Sequence, residues 1–339
     1  MHPGTAAKPA RSGWPRFVLA FAAFVAFALL PTGPAFAPLA AASVPVLLGA
    51  VIVACAIVAW AVGGAPSLAA VAVALGLAVM GRLVGTSEEY QLLSLGWAVV
   101  LAASFGLVSL VSPEQPFLPR ALTSIVVALI VALISAAAFG GGLERVRGAV
   151  HADALRRVQV IDSVSQVNFA SDTWRRAETR WRSLTNFRRA SEEGLQALPN
   201  RTVLLLPAML ALQSLAALAL GWALFHRLSR AQIGPPLAPL REFRFNDQLV
   251  WAIAVGLTIL VLPEFAEGRA AGLNLLLFFG VLFALRGLAV LASFGRGRVL
   301  VTMLVILTLL AWPLGLGIAA SLGLADIWLD VRRRAQAGR

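Results

Sequence analysis

Residues 142–200 read GLERVRGAVHADALRRVQVIDSVSQVNFASDTWRRAETRWRSLTNFRRASEEGLQALPN, the one long stretch without a continuous apolar run. Near-continuous hydrophobic blocks lie on both sides of it. A helix needs roughly 20 apolar residues to cross about 30 Å of hydrocarbon. The pattern therefore predicts an all-α, multi-pass integral membrane protein. In it, a polar helical insert (142–200) separates N-terminal membrane helices (1–141) from C-terminal membrane helices (201–339).

The insert itself shows two amphipathic helical patterns. The first has one apolar stripe at steps of three and four residues: Leu143, Val146, Val150, Ala154, Val158, Ile161 and Val164. The second is predicted to begin at Ser171-Asp172, with Asp172 as the N-cap, and to end at Pro199. Its tryptophans and arginines suit either a helix at the membrane interface or a surface helix packed on the membrane domain. Both interpretations stay open.

Composition excludes a soluble domain of ordinary amino-acid usage. Of the 339 residues, 59% are apolar and only 13% are charged, and the mean hydropathy is +0.84. The net charge of +12 fits cytoplasmic loops and anionic lipid better than nucleic acid, because acids are interleaved with the arginines of the insert. The single cysteine, Cys55, excludes a disulfide framework within one chain.

Nine apolar blocks are candidate membrane segments, which predicts eight or nine spans. They cover roughly residues 17–36, 39–62, 66–85, 91–112, 120–141, 202–225, 247–263, 270–294 and 298–324. The first block also resembles a signal peptide with a cleavage site at 35–37, but we expect a retained helix. The last block carries Pro313, Gly315 and Gly317 at its middle, which could break it into a re-entrant pair and return the tail to the cytoplasm.

Loop charges allow two topologies. With a cytoplasmic N-terminus, the arginines of 227–244 fall inside and the insert falls outside. The basic tail at 332–334 then returns inside only if the last block is broken. The rival model has eight spans and keeps the insert and the tail inside, but it leaves the arginines of 227–244 outside. We prefer the first topology.

Polar side chains at membrane depth are the default candidates for a site, because burying them without a partner is costly. Arg286 lies near the centre of block 270–294 and is the first predicted ligand-binding residue. Asp247, Glu264 and Asp326 lie at block ends and could pair with it. The alternative is a structural ion pair, or an arginine that reaches the headgroups.

Asn274, on the same block as Arg286, and Gln213, within block 202–225, are the other two predicted ligand-binding residues. An interhelical hydrogen bond is the alternative role for each of them.

No known catalytic or metal-binding signature is present. The chain lacks the phosphate-binding loop, the His-Glu-x-x-His motif, paired cysteines and the Gly-x-Ser-x-Gly elbow. The acidic pairs Glu88/Glu89 and Asp326/Asp330 are the candidates for lipid chemistry at the interface, and solvated helix ends explain the second pair without any chemistry. We therefore expect a protein that is not an enzyme and has neither cofactor nor metal.

Three stretches of the second half carry a family resemblance. They are REFRFNDQLVW (241–251), RGLAV (286–290) and GLADIWLDVRRR (323–334). Together with the order of the apolar blocks, they resemble the YybS-like family of bacterial multi-pass membrane proteins. The family has a glutamine where this chain has Arg286. It is distantly similar to the substrate-binding membrane subunits of energy-coupling-factor vitamin transporters and to the rod-shape protein MreD.

This resemblance implies a bacterial inner-membrane location and two alternative functions. One is a substrate-binding membrane subunit for a small molecule, energised by partner proteins. The other is a non-transporting scaffold that recruits cell-envelope proteins through 142–200. Membrane lipids are expected partners in either case and nucleic acid is not. The sequence indicates neither the substrate nor the oligomeric state.

Overall fold

A computed structural model describes residues 14–29, 42, 44–61, 89–138, 142–181, 183–228, 233–294, 297–310 and 312–329. These residues form α-helices and short 3-10 turns and contain no β-strand, so the predicted all-α class is confirmed for them. The helices are α1 (Trp14–Leu29), α2 (Val44–Ala61), α3 (Glu89–Val111), α4 (Phe117–Ala138), α5 (Gly142–Ala170), α6 (Asp172–Arg180), α7 (Ser183–Leu228), α8 (Val250–Val261), α9 (Arg269–Ser293), α10 (Gly297–Leu310) and α11 (Trp312–Leu329).

Four of the described helices, α3, α4, α7 and α9, are long and apolar enough to cross a membrane. Shorter apolar helices cover Val46–Val58, Asp247–Val261 and Leu314–Leu329. The predicted block 66–85 lies outside the described residues. The fold is thus that of a multi-pass helical membrane protein, and the number of eight or nine spans stays a prediction.

The polar insert is helical and its second helix begins at the predicted Ser171-Asp172 pair, but the predicted N-cap residue and the predicted end are wrong. Ser171, not Asp172, is the N-cap of α6, because its backbone is extended and its side chain accepts a hydrogen bond from Trp174 N at 3.3 Å. Pro199 does not end the second helix. Helix α7 runs for 46 residues through Pro199 and Pro207 into the membrane domain. The boundary at 200 therefore lies inside one helix, which is about 69 Å long at 1.5 Å per residue.

Tertiary packing explains why a proline does not end α7. Leu195 and Leu198 on α7 are buried, as are Ala149, Val150 and Ala154 on α5, and the two helices pack together. This packing holds the helix across a position that lacks one backbone N–H. The predicted apolar stripe of α5 is thus buried at its middle.

Helix α5 also docks on the beginning of α3. Arg145 forms an ion pair with Glu89, and the guanidinium carbon of Arg157 lies 5.3 Å from the centroid of the Tyr90 ring. Burial lowers the pKa of Arg157, but Tyr90 and Asp153 outweigh it and raise this pKa above its ordinary value. The insert therefore lies at the end of the bundle where α3 begins, here called the insert side.

The opposite end of the bundle, here called the Arg227 side, contains the end of α7 and the start of α1. The guanidinium carbon of Arg227, at the end of α7, lies 4.9 Å from the centroid of the Phe17 ring, near the start of α1. The last predicted block is divided before Pro313, as the sequence allowed, into α10 and α11. These two helices contact each other although a single residue separates them in the sequence. The end of α11 lies beside the start of α8, because Asp326 and Asp247 both bond to Arg286.

Candidate functional site

The predicted site residue Arg286 is fully buried on α9, two turns before this helix ends at Ser293. Its Nε donates to Oδ2 of Asp326 at 3.1 Å, and its Nη1 donates to Oδ1 of Asp247 at 2.5 Å. Two of the three acids that were expected to pair with Arg286 therefore do so. The third, Glu264, lies exposed on the 3-10 turn Pro263–Gly268 and makes no ion pair with Arg286.

Three elements bring this cluster together. Asp247 begins the 3-10 turn Asp247–Leu249 that leads into α8, and Asp326 lies in the last turn of α11. Helices α9 and α11 approach closely because glycines face each other. A Cβ added to Gly287 would lie 1.9 Å from the carbonyl oxygen of Ala319, and one added to Gly323 would lie 1.9 Å from that of Phe283. The short side chain of Asp326 can therefore reach Arg286.

The side chains of this cluster range from fully buried to about half exposed. The side chains of Arg286, Asp326 and Asp247 are 0%, 3% and 44% exposed, and Arg244 lies outermost, with Nη2 3.8 Å from Oδ2 of Asp247. The ring centroid of Phe245 lies 5.6 Å from the Arg286 guanidinium carbon. Two arginines and two aspartates balance in charge. Asp247 is the carboxylate that connects the buried part to the surface.

Arg286 keeps one N–H donor for an anionic group. Nη2 of Arg286 is buried and makes no hydrogen bond to any described residue. If Asp247 swung outward, Nη1 would also be available to a carboxylate or phosphate, and Arg286 could bind it in the bidentate manner typical of arginine. Within the described ranges, no group of three histidines, cysteines or acids could hold a metal ion.

Asn274 lies apart from the Arg286 cluster and contacts the backbone of α7 beside Pro207. Its Oδ1 accepts from Ala208 N at 2.9 Å, and its Nδ2 donates to Leu204 O at 2.8 Å. In a regular helix these two backbone groups pair with each other, and a proline such as the adjacent Pro207 weakens that pairing. The amide bonds to both backbone groups beside Pro207 and ties α9 to α7.

We expect Asn274→Ala to destabilise the protein by about 1–3 kcal/mol, because it removes two hydrogen bonds between α9 and the backbone of α7. Thermal unfolding in detergent measures the effect. Thr258→Val is the matched control, since that hydroxyl only bonds to Ala254 O in its own helix and is exposed. Equal melting temperatures for the two variants would contradict the role of Asn274 as a clamp.

Gln213 also makes two bonds to backbone. Its Oε1 accepts from Ala42 N at 2.8 Å, and its Nε2 donates to Ala42 O at 2.7 Å. The neighbouring Ser214 accepts a hydrogen bond from Trp97 Nε1 at 2.9 Å. The three predicted ligand-binding residues thus sit in three separate hydrogen-bonded arrangements, and only the Arg286 arrangement includes charged partners and a surface opening.

The acidic pairs have partners of their own. Glu89 forms an ion pair with Arg145, and Asp326 forms one with Arg286. Glu88 and Asp330 lie outside the described residues.

Sequence reasoning missed one buried charge, Arg120. In the sequence, Arg120 was only the first residue of the predicted block 120–141. In the structure, it is fully buried and its guanidinium lies over the ring of Trp222. The available signal was the apolar pair Phe117 and Leu118, which precedes the arginine and extends the apolar stretch beyond the predicted block.

Fold and site together define a multi-pass helical membrane protein with a charge-balanced cluster buried beside one membrane boundary. The chain belongs to the family described as predicted membrane protein (DUF2232), whose model matches residues 17–327. That range includes Asp247, Arg286 and Asp326. No curated protein and no solved structure matches the chain.

Proposed function

We propose that this protein is a small-molecule-binding component of the bacterial inner membrane, without catalytic activity, whose ligand presents an anionic group to Arg286. The observation that carries the proposal is the asymmetry of the two carboxylates around this arginine. Asp326 is buried with it, whereas Asp247 is 44% exposed on a short turn. Asp326 fixes the guanidinium, and Asp247 occupies the position that a ligand's carboxylate or phosphate would take.

Exchange of Asp247 for a ligand is physically reasonable. The ligand would replace one charge-assisted pair with another, so Arg286 would not be left unpaired in the membrane. Arg244 would then stay beside the freed Asp247. The resemblance to the YybS-like family also implies a ligand-binding role, with energising subunits as partners.

The test is ligand binding by the full chain in detergent. Native mass spectrometry of the purified protein would show small molecules that copurify, and thermal shifts would be screened with carboxylates and phosphate esters. Arg286→Ala is expected to abolish binding, whereas Asp247→Asn is expected to tighten it several-fold because the competing carboxylate is gone.

Arg241→Ala is the matched control, because this arginine lies on the same side, is 70% exposed and pairs only with Glu242. The proposal fails if no molecule copurifies or gives a shift, or if a bound molecule persists in Arg286→Ala.

The alternative function is a scaffold that recruits cell-envelope proteins through the insert. The observation that favours it is an unpaired apolar face on α5, where Val160, Val164 and Val167 are 63%, 50% and 72% exposed at helical spacing. Deleting 143–198 should then abolish pull-down of partner proteins while Arg286→Ala leaves it unchanged. The reverse result would support the ligand-binding function.

Orientation follows from the charges at the two ends of the bundle. The Arg227 side carries Arg227, and the connection after α7 carries Arg241 and Arg244. The end of α11 lies beside that connection, because Asp326 and Asp247 both bond to Arg286. By the positive-inside rule we expect the Arg227 side in the cytoplasm and the insert outside. In a Cys55→Ala background, a membrane-impermeant maleimide should label Ser171→Cys in whole spheroplasts and Arg241→Cys only after lysis. The opposite pattern would reverse the topology.

A further inference from the structure

Arg120, in the first turn of α4, is a second fully buried arginine in the described part of the chain. Its Nη2 donates to the carbonyl oxygens of Ser112, Pro113 and Gln115 at 3.2, 2.8 and 2.8 Å, and so holds the connection between α3 and α4. Its Nε and Nη1 are buried and make no hydrogen bond to the described residues. Two of its three nitrogens therefore lack an acceptor.

His226, in the last turn of α7, adds two more buried nitrogens at the same place. Neither its Nδ1 nor its Nε2 has a hydrogen-bond partner among the residues that the structure describes. Both side chains contact Trp222. The Arg120 guanidinium carbon lies 4.5 Å from the indole centroid, and the His226 ring centroid lies 4.7 Å from it. Four buried polar atoms without hydrogen bonds thus surround one indole ring.

The two buried arginines differ in their counter-charges. Arg286 has Asp326 and Asp247, whereas Arg120 forms no ion pair within the described ranges. Three carbonyl dipoles on one nitrogen and an aromatic face compensate its charge only partly. A cation removed from water without a counter-charge costs several kcal/mol, so an anion beside Arg120 would be strongly favoured.

The depth of this arginine indicates the class of anion. Arg120 is the fourth residue of α4 and His226 lies two residues before the end of α7, so both sit at the membrane boundary on the Arg227 side. Lipid phosphates lie at this level, and arginine is well suited to bind them. We propose that Arg120, through Nε and Nη1, and an N–H of His226 bind a phosphate-class oxyanion, either a lipid headgroup or free phosphate.

A short connection closes this site. Gly234 has a φ of +67°, and a Cβ added to it would lie 2.8 Å both from Arg120 Nη2 and from the carbonyl oxygen of Pro113. The next residue, Pro235, accepts a hydrogen bond from Trp222 Nε1 at 3.2 Å. The anion therefore reaches Arg120 when residues 233–239 shift outward, which breaks the hydrogen bond from Trp222 and exposes part of the buried Ile233 side chain.

The experiment uses the full chain in detergent and native mass spectrometry with three probes: phosphatidylglycerol, diacylglycerol and inorganic phosphate. Diacylglycerol has the same acyl chains without the phosphate. The wild-type protein is expected to retain one phosphatidylglycerol, or to gain thermal stability in millimolar phosphate, and to respond at least tenfold less to diacylglycerol. The first response identifies a lipid headgroup as the source, and the second identifies free phosphate.

Variants separate this site from general surface charge. Arg120→Gln is expected to lower retention about tenfold, and His226→Phe several-fold while keeping the ring packed on Trp222. Arg227→Gln is the matched control, because it removes a neighbouring but exposed cation and should change nothing. His226→Phe remains decisive if Arg120→Gln does not fold. Undiminished retention in folded His226→Phe and Arg120→Gln, or no response to either phosphate probe, would overturn the proposal. Arg286 variants should keep this binding, which distinguishes it from the proposed ligand site.

Discussion

Gly287→Ala is expected to destabilise the membrane domain by about 3 kcal/mol, at the upper end of the usual cost of overpacking. A Cβ at this position would lie 1.9 Å from the carbonyl oxygen of Ala319, which is backbone and cannot rotate away. Helices α9 and α11 would have to separate. Because Asp326 reaches Arg286 across this contact, the separation would also lengthen the buried ion pair. Thermal or chemical unfolding of the detergent-solubilised protein measures the loss.

Two glycines on the same helices serve as controls. A Cβ added to Gly280 on α9, or to Gly317 on α11, meets no atom within 4 Å. Alanine at either position should be neutral or slightly stabilising, since alanine is the better helix former. If Gly287→Ala unfolds at the same temperature as Gly280→Ala, the two helices are not held at this distance and the described packing is wrong.

The helical class could be predicted from the sequence because block length and hydropathy are local properties. The ion pairs of Arg286 could also be predicted in part from the sequence. A buried arginine in an apolar block needs a carboxylate, and few blocks carry an acid near their ends, which made Asp247 and Asp326 candidates. The break in the last block was signalled by Pro313.

The other features of the fold and of the site could not be predicted, because they depend on contacts between positions that are distant in the sequence. Nothing near Asn274 in the sequence shows that its amide bonds to the backbone beside Pro207, on a different helix. The same holds for Gln213, whose partner is the backbone of Ala42. Pro199 was misread because a proline weakens a helix locally, whereas the packing of α5 against α7 is a tertiary effect. For the same reason, the two faces of α5 could not be distinguished as buried and exposed.

An equally large effect is expected at Asp326. Asp326→Leu removes the buried partner of Arg286 and leaves it only the half-exposed Asp247, so it should destabilise the protein by about 3 kcal/mol, the lower end of the cost of breaking a buried pair. Asp247→Leu should have a smaller effect, because that carboxylate is 44% exposed and water or headgroups can replace part of its contact. The unfolding free energies of the two variants, measured under identical conditions, test this order.

The double variant Arg286→Met/Asp326→Leu separates a structural role of the cluster from a functional one. Replacing a whole buried ion pair by apolar residues is often neutral or stabilising, so most of the stability lost in Asp326→Leu should return. If the pair serves only the fold, the double variant will keep every property of the wild-type protein. If Arg286 receives an anionic ligand, the double variant will be folded and unable to bind it. Stability that does not return would instead show that the pair contributes more than charge compensation to the contact between α9 and α11.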